Sequence, residues 1–240
     1  PKENRARPAI DALFRSAAYA FGPRVIGVVL SGNLDDGTAG LWAIKDRGGI
    51  ALVQSPQEAQ FPSMPESALQ HVAVDHVLPI ADMPSVISNL TRDNVMAGSY
   101  APVPELMAVE THIALQTNGP QGSRLQSGDL SPNTCPECHG VLMRIREGSI
   151  VRYRCHTGHA FSVQTLLTGV NEEIDHTLAD ALRAVEERIL FLREMEQLAR
   201  ANHDEATADR CARQADETEQ RAQRIREITL EKVGAALHAN

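Results

Sequence analysis

Hydrophobic and polar positions along this chain fall into three successive patterns. In the first, helical stripes alternate with short apolar runs. Ile10, Leu13, Phe14, Ala17 and Ala18 form a stripe within Arg7–Phe21, opened by Pro8 and closed by Gly22-Pro23, which predicts a helix. Val25–Leu30 is a continuous branched run of the kind found in a strand buried on both faces. The loop Ser31–Gly37 is too polar and glycine-rich for a strand or helix interior, and Ala39, Leu41, Trp42 and Ile44 then predict a helix over Thr38–Asp46, stopped by Gly48-Gly49. Ile50–Gln54 reads as a second strand, Met64–His71 as a short helix and His76–Ile80 as a third strand. Asp82-Met83-Pro84 opens a helix running to about Thr91. Strands alternating with helices imply right-handed crossovers and a parallel sheet. The expected fold is therefore α/β, part of a doubly wound parallel-sheet domain over residues 1–93. Three strands are half of such a domain and the chain opens on Pro1, so the other half is expected upstream.

The second pattern is aperiodic. Pro, Gly, Ser, Gln and Thr dominate residues 94–132, which read mostly as a linker. Residues 133–161 form a compact segment with two cysteine knuckles. In the third pattern, residues 162–240, apolar residues step by three and four: Ile174, Leu178, Ala181, Val185, Ile189, Leu192, Met195, Ala199, then Cys211, Ala215, Thr218, Ala222, Ile225 and Ile228. The polar break Ala201–Asp204 separates the runs, which predicts an antiparallel α-helical hairpin or part of a coiled coil. Cys211 sits on this seam as a small core residue, and the mixed charges elsewhere suit a solvated helix surface.

Composition narrows the function. Among 240 residues, 42% hydrophobic and 22% charged is ordinary for a soluble globular chain. A net charge of -8 argues against a general nucleic-acid or membrane-surface binder. No apolar run reaches the length of a membrane span and no signal peptide is visible, so the expectation is a cytoplasmic protein with no membrane insertion. The four cysteines fit a reducing compartment. Three of them carry chemistry. Cys135-x-x-Cys138 and Cys155-x-x-x-His159, with sixteen residues between the pairs, have the spacing of a closed structural zinc site, and Val141–Arg154 between them reads as a hairpin turning at Glu147-Gly148. This is a zinc-ribbon-like module. His156 and His139 are rival fourth ligands, and a disulfide is the bland alternative. Arg144, Arg146, Arg152 and Arg154 make the module locally basic, but Tyr153 and Phe161 are its only stacking aromatics, a weak case for nucleic acid.

The loop Gly32–Gly40 is ambiguous by itself. Asp36 could cap the following helix, the glycines could serve the turn or cradle a phosphate, or the acid could orient a catalytic histidine. A resemblance separates these readings. LSGNLDDGTAGLWAIKDRGGIALVQSP, preceded by RPAIDALFRSAA and followed by FPSMPESAL and DHVLPI, resembles the second half of the catalytic domain of the chemotaxis receptor methylesterases, the CheB family. TCPECHGVLMRIREG and VRYRCHTGHAFS, with the helical tail, resemble a C-terminal extension found on a subset of that family. The resemblance implies a parallel α/β domain with a Ser-His-Asp triad, hydrolysis of glutamyl methyl esters on chemoreceptors, glutamine deamidation, and no cofactor for catalysis. It places the triad acid on Asp36 and an oxyanion-hole backbone N–H at Asn33, where the family often has methionine. Met64-Pro65 matches a segment near the family's site. The family's serine and histidine both precede this stretch. Ser31, Ser55 or Ser63 with His71 or His76 are poor substitutes, and Trp42 reads as core. The implied partners are methylated chemoreceptors, with a sensor kinase or receptor array as a partner for the helical tail. The alternative is a non-catalytic zinc-binding adaptor of a chemosensory system.

Overall fold

The computed structural model describes residues 1–92, 102–115 and 128–237, with side chains to residue 228. Two compact units result, Pro1–Gly169 and Val170–Asn240.

In the first unit α1 (Ile10–Phe21), β1 (Ile26–Val29), α2 (Thr38–Asp46), β2 (Ile50–Gln54), α3 (Ser63–His71), β3 (His76–Leu78) and α4 (Met83–Leu90) follow one another. The three strands form a parallel sheet in the order β1-β2-β3. The strand buried along nearly its whole length is β2, at the centre, rather than β1. Along β1 alternate residues are buried, because it has a neighbour on one side only within the described sheet. Leu41, Ile44, Val29, Val53 and Ala68 are buried in the core between sheet and helices. α1 crosses α2 at Gly40, where an added Cβ would lie 2.6 Å from Phe14 and 2.9 Å from the Asp11 backbone. Only glycine lets the two backbones approach this closely. Asp82 makes no side-chain cap for α4, contrary to expectation.

The stretch read as linker contains a further helix, α5 (Glu105–Ala114). Met107, Val109 and Ile113 are buried, and Met107 joins the α/β core. A four-stranded antiparallel sheet follows, β4 (Asp129–Thr134), β5 (Val141–Glu147), β6 (Ile150–Cys155) and β7 (Ala160–Ser162), in chain order. The hairpin turn at Gly148 has φ +58° and presses on Trp42, whose indole nitrogen would lie 3.0 Å from a Cβ placed there. The single tryptophan is thus a contact between the two sheets' structures, in keeping with a core role.

A buried ion cluster joins these parts. Glu110 of α5 is 1% exposed and accepts hydrogen bonds from Arg152 Nη1 at 2.9 Å, Arg152 Nη2 at 2.5 Å and Arg154 Nε at 3.0 Å. Arg15 Nε of α1 lies 3.4 Å from the same carboxylate. Glu3 pairs with Arg15, and Glu147 with Arg152. Three guanidiniums meet three carboxylates, so the buried charge is balanced. Burial would push Glu110 up, but Arg152 foremost, with Arg15 and Arg154, holds it well below the usual carboxylate range. Arg152 and Arg154 are therefore spent internally and do not form a nucleic-acid surface.

The second unit is built by α6 (Val163–Ala201), which enters it from the first, and α7 (Glu205–Leu237). Asp204 caps α7, its Oδ1 accepting from the Thr207 N–H at 3.0 Å. Arg193 pairs with Asp216 at 2.6 Å and Arg226 with Glu186 at 2.8 Å, so residue numbers rise along one helix as they fall along the other: an antiparallel hairpin. Its seam is narrow. Ile189, Leu192 and Ala199 are buried with Ala208, Cys211, Ala215, Thr218 and Ala222. The single stripe expected on the first helix is in fact two. Leu178, Val185, Ile189, Leu192 and Ala199 turn inward, whereas Ile174, Ala181 and Met195 are exposed. Steps of three and four fit both seams, so spacing alone could not divide them.

Candidate functional site

At the carboxyl end of β1 the chain turns through Ser31–Gly37, and several bonds hold the loop. The Ser31 N–H donates to Gln54 Oε1 at 2.8 Å, the Gly32 N–H to the Phe61 carbonyl at 2.9 Å, and Ser63 Oγ to the Leu34 carbonyl at 2.6 Å. Met64 lies against Gly32, where an added Cβ would meet Sδ at 2.1 Å and force the thioether to move. Gly37 (φ +94°) starts α2 in the left-handed region and gives it no side-chain cap.

Asp36 caps a different helix from the one expected. Its Oδ2 accepts from the Ile10 N–H at 2.8 Å and its Oδ1 from the Asp11 N–H at 3.2 Å, so it closes the first turn of α1. Asn4 Nδ2 also donates to Asp36 Oδ1 at 3.1 Å. The Asp36 carboxylate is half-buried. Oδ2 receives one of these three bonds and keeps acceptor capacity for another donor. Among the described residues no serine or histidine reaches Asp36. The Asn33 side chain is exposed, and its backbone N–H has no acceptor among the described residues.

Asn4 organises this corner. Its own N–H donates to the Ala160 carbonyl at 2.8 Å, setting residues 2–4 along the free edge of β7. Its Oδ1 accepts from the Ser162 N–H at 3.0 Å and Thr165 Oγ1 at 3.2 Å, and its Nδ2 donates to Asp11 Oδ2 at 2.7 Å as well as to Asp36. Sequence reasoning missed this residue, since a lone asparagine before a helix carries no spacing signal. Asp35 was not singled out either. It accepts from Ser162 Oγ at 2.9 Å, and burial, with the Asp36 charge adding, raises its carboxyl. Asp35, Ser63, Ser67 and His71 line a cleft of about 580 Å³. Ser63 and Ser31 both donate their hydroxyl protons to carbonyls, of Leu34 at 2.6 Å and of Phe61 at 3.4 Å, so neither pairs with a histidine as an activated nucleophile.

The second constellation lies on the antiparallel sheet. Sγ of Cys135, Cys138 and Cys155 and a ring nitrogen of His159 lie within 4.8 Å of one another. Cys138 Sγ is 3.6 Å from Cys155 Sγ, and His159 Nδ1 is 3.7 Å from Cys135 Sγ and 3.5 Å from Cys155 Sγ. A tetrahedral zinc with ordinary bond lengths sets S···S edges of about 3.8 Å and S···N edges of about 3.6 Å. The donor set therefore fits that metal, whereas a disulfide needs sulfurs about 2.05 Å apart. Each knuckle turns on a left-handed residue, His139 (φ +56°) after the first pair and Gly158 (φ +98°) before His159. His139 serves the backbone turn and His156 lies against Gly140, so neither rival joins the cluster. Thr157, unremarked in the sequence, places its hydroxyl 2.9 Å from Cys155 Sγ. Cys135 and Cys155 also belong to a small core with Leu142, Phe161 and Leu166.

Residues 1–87 match the CheB methylesterase family model. A protein-glutamate methylesterase/protein-glutamine glutaminase of Pyrococcus abyssi is 38% identical over 87 residues, 36% of this chain and 24% of its own. The Bordetella parapertussis protein of the same name is 44% identical over 89 residues, 37% of this chain and 25% of its own. A relative from Leptospira interrogans is 39% identical over 92 residues, 38% of this chain and 48% of its own. Among solved structures, the Thermotoga maritima CheB methylesterase catalytic domain is 31% identical, with 38% of this chain and 48% of that one covered at a TM-score of 0.37. Residues 1–87 are thus similar to the CheB methylesterase family, and the chain spans about half the length or less of the curated relatives it matches. Among the described residues no helix is long and apolar enough to cross a membrane.

Asp11 supplies a pH test of the corner around Asp36. Burial, then the charges of Glu3 and Asp36, pushes its carboxyl up to about 7 from 3.8. The folded state then binds more protons than the unfolded chain between about pH 4 and pH 7, so stability falls as pH rises through that window. The contribution is at most about 1.4 kcal/mol per pH unit and flattens above the folded value. Unfolding followed by Trp42 fluorescence at pH 5 and pH 8 should show a larger loss for the natural chain than for Asp11→Asn. Equal losses would remove Asp11 from this role.

Proposed function

We propose that residues 1–93 are the C-terminal half of the catalytic domain of a chemosensory protein-glutamate methylesterase, able also to deamidate glutamine, whose triad draws only its acid from this chain. The observation that carries the reading is the CheB family match over residues 1–87, with Asp36 at the carboxyl edge of β1. Asp36 would accept the Nδ1–H of a histidine supplied by the domain's other half, hold its tautomer, and stabilise the imidazolium formed as a serine attacks the ester carbonyl. The Asn33 N–H would stabilise the tetrahedral oxyanion; being main chain, this donor need not be abolished by asparagine where the family often has methionine. Methylated chemoreceptor helices would be the substrate, in a cytoplasmic setting, with a sensor kinase or receptor array as the tail's partner. A purified chain of residues 1–240 should release no methanol from a glutamyl methyl ester peptide. A protein carrying the family's serine-histidine half ahead of it should do so, and Asp36→Asn there should lower kcat by about 10³–10⁴-fold with KM little changed. Methanol release by residues 1–240 alone, or an indifferent Asp36→Asn, would overturn the assignment.

Cys135, Cys138, Cys155 and His159 would hold one structural zinc. Four protein ligands leave no open position, so the ion would contribute folding energy to a core of a few side chains rather than catalysis. Cobalt titration of the metal-free chain should give a thiolate-to-metal band saturating at one equivalent, and Cys135→Ser should weaken it. A chain that binds neither cobalt nor zinc would refute the site.

One observation favours the second reading, a zinc-binding adaptor without esterase activity. Asp36 is already accounted for by its bonds to α1, so its presence does not require a histidine.

A further inference from the structure

The outward seam of α6 bears on a partner, independently of the esterase reading. Val170, Ile174, Phe191, Met195 and Leu198 are 37–64% exposed. The steps between them fall on Thr177, Ala181, Ala184 and Arg188, giving an unbroken four-three spacing from 170 to 198, every position of it exposed. A repeat of 3.5 residues is the spacing at which one helix packs along another for its whole length, here about 42 Å. The seam against α7 is a separate one, offset around the helix and already filled. Along one flank of the outward seam, at the position preceding every second step, stand Glu173, Asp180, Glu187 and Glu194, an acidic residue every seventh place. Flanking charges of this kind select partner and orientation in helix pairs.

The charges also argue against a second copy of this chain. Antiparallel pairing would lay the acidic row against its own image. Parallel pairing would bring two Arg188 side chains into one layer. Both arrangements put like charges together where water is being excluded.

We propose that this face docks a helix of another protein. That helix would carry an apolar stripe of the same period, Lys or Arg along the edge meeting the acidic row, and an acidic residue at the level of Arg188. The test uses residues 1–240 and two labelled four-heptad peptides with leucine seams and one glutamate in the seam. One has lysines at the flanking positions, the other glutamates. The lysine-flanked peptide should bind at least about tenfold more tightly at low salt, with the difference shrinking at about 0.5 M salt. Glu187→Lys with Glu194→Lys should reverse the preference. Phe191→Gln with Met195→Gln, both on exposed side chains and checked for unchanged helix content, should abolish binding of both peptides. Equal binding, no binding, or binding insensitive to the Phe191/Met195 pair would overturn the proposal. So would sedimentation showing a dimer that the Phe191/Met195 pair dissolves, since a second copy would then occupy the seam.

Discussion

The first unit depends on one carboxylate that would be untenable alone. Glu110 is out of water, and an isolated charge there would neutralise or unfold its surroundings. Three arginines from two different elements converge on it, Arg15 from α1 and Arg152 and Arg154 from β6. Such a cluster adds little net stability over a well-packed apolar one, but removing a single member costs about 3–5 kcal/mol, because the others stay buried without counter-charge. Its effect is to make elements far apart in sequence interdependent. The CheB-like α/β segment, α5 and the cysteine-bearing sheet cannot separate without exposing unmatched charges.

The corner around Asp36 inherits this coupling. Residues 2–4 run along β7, Glu3 enters the ion cluster, and Asn4 beside it donates to Asp36 and Asp11. The loop at the carboxyl edge of β1 is therefore braced by the antiparallel sheet as well as by its own strand and helix. Burial first, and then the repulsion of neighbouring acids, raises the carboxyls of Asp11 and Asp35, which is the cost of this packing.

Much of this was legible in the chain. The helix over Thr38–Asp46 and the strand over Ile50–Gln54 follow from apolar spacing and glycine stops, and the two knuckles from cysteine spacing. What escaped the sequence depends on contacts between distant residues. Helix α5 lies in a stretch whose Pro, Gly and Ser content reads as linker, yet Met107 and Glu110 are buried by partners that no local pattern names. Arg152 and Arg154 looked like a solvent-facing basic patch because the buried carboxylate they share, Glu110, lies more than forty residues away. Asp36 read as a cap for the helix after it, but the amides it satisfies belong to the helix before it. The two seams of α6 merged into one stripe because a buried and an exposed apolar row on one helix repeat the same steps of three and four.

Native-state hydrogen exchange on residues 1–240 tests most directly whether Glu110 makes the first unit a single cooperative structure. Amides of β2 and of β5 and β6 should open with the same free energy, and Glu110→Gln should lower both by the same amount, about 3–5 kcal/mol. If the antiparallel sheet opens on its own while β2 stays protected, or Glu110→Gln weakens one sheet and spares the other, the ion cluster does not hold them together.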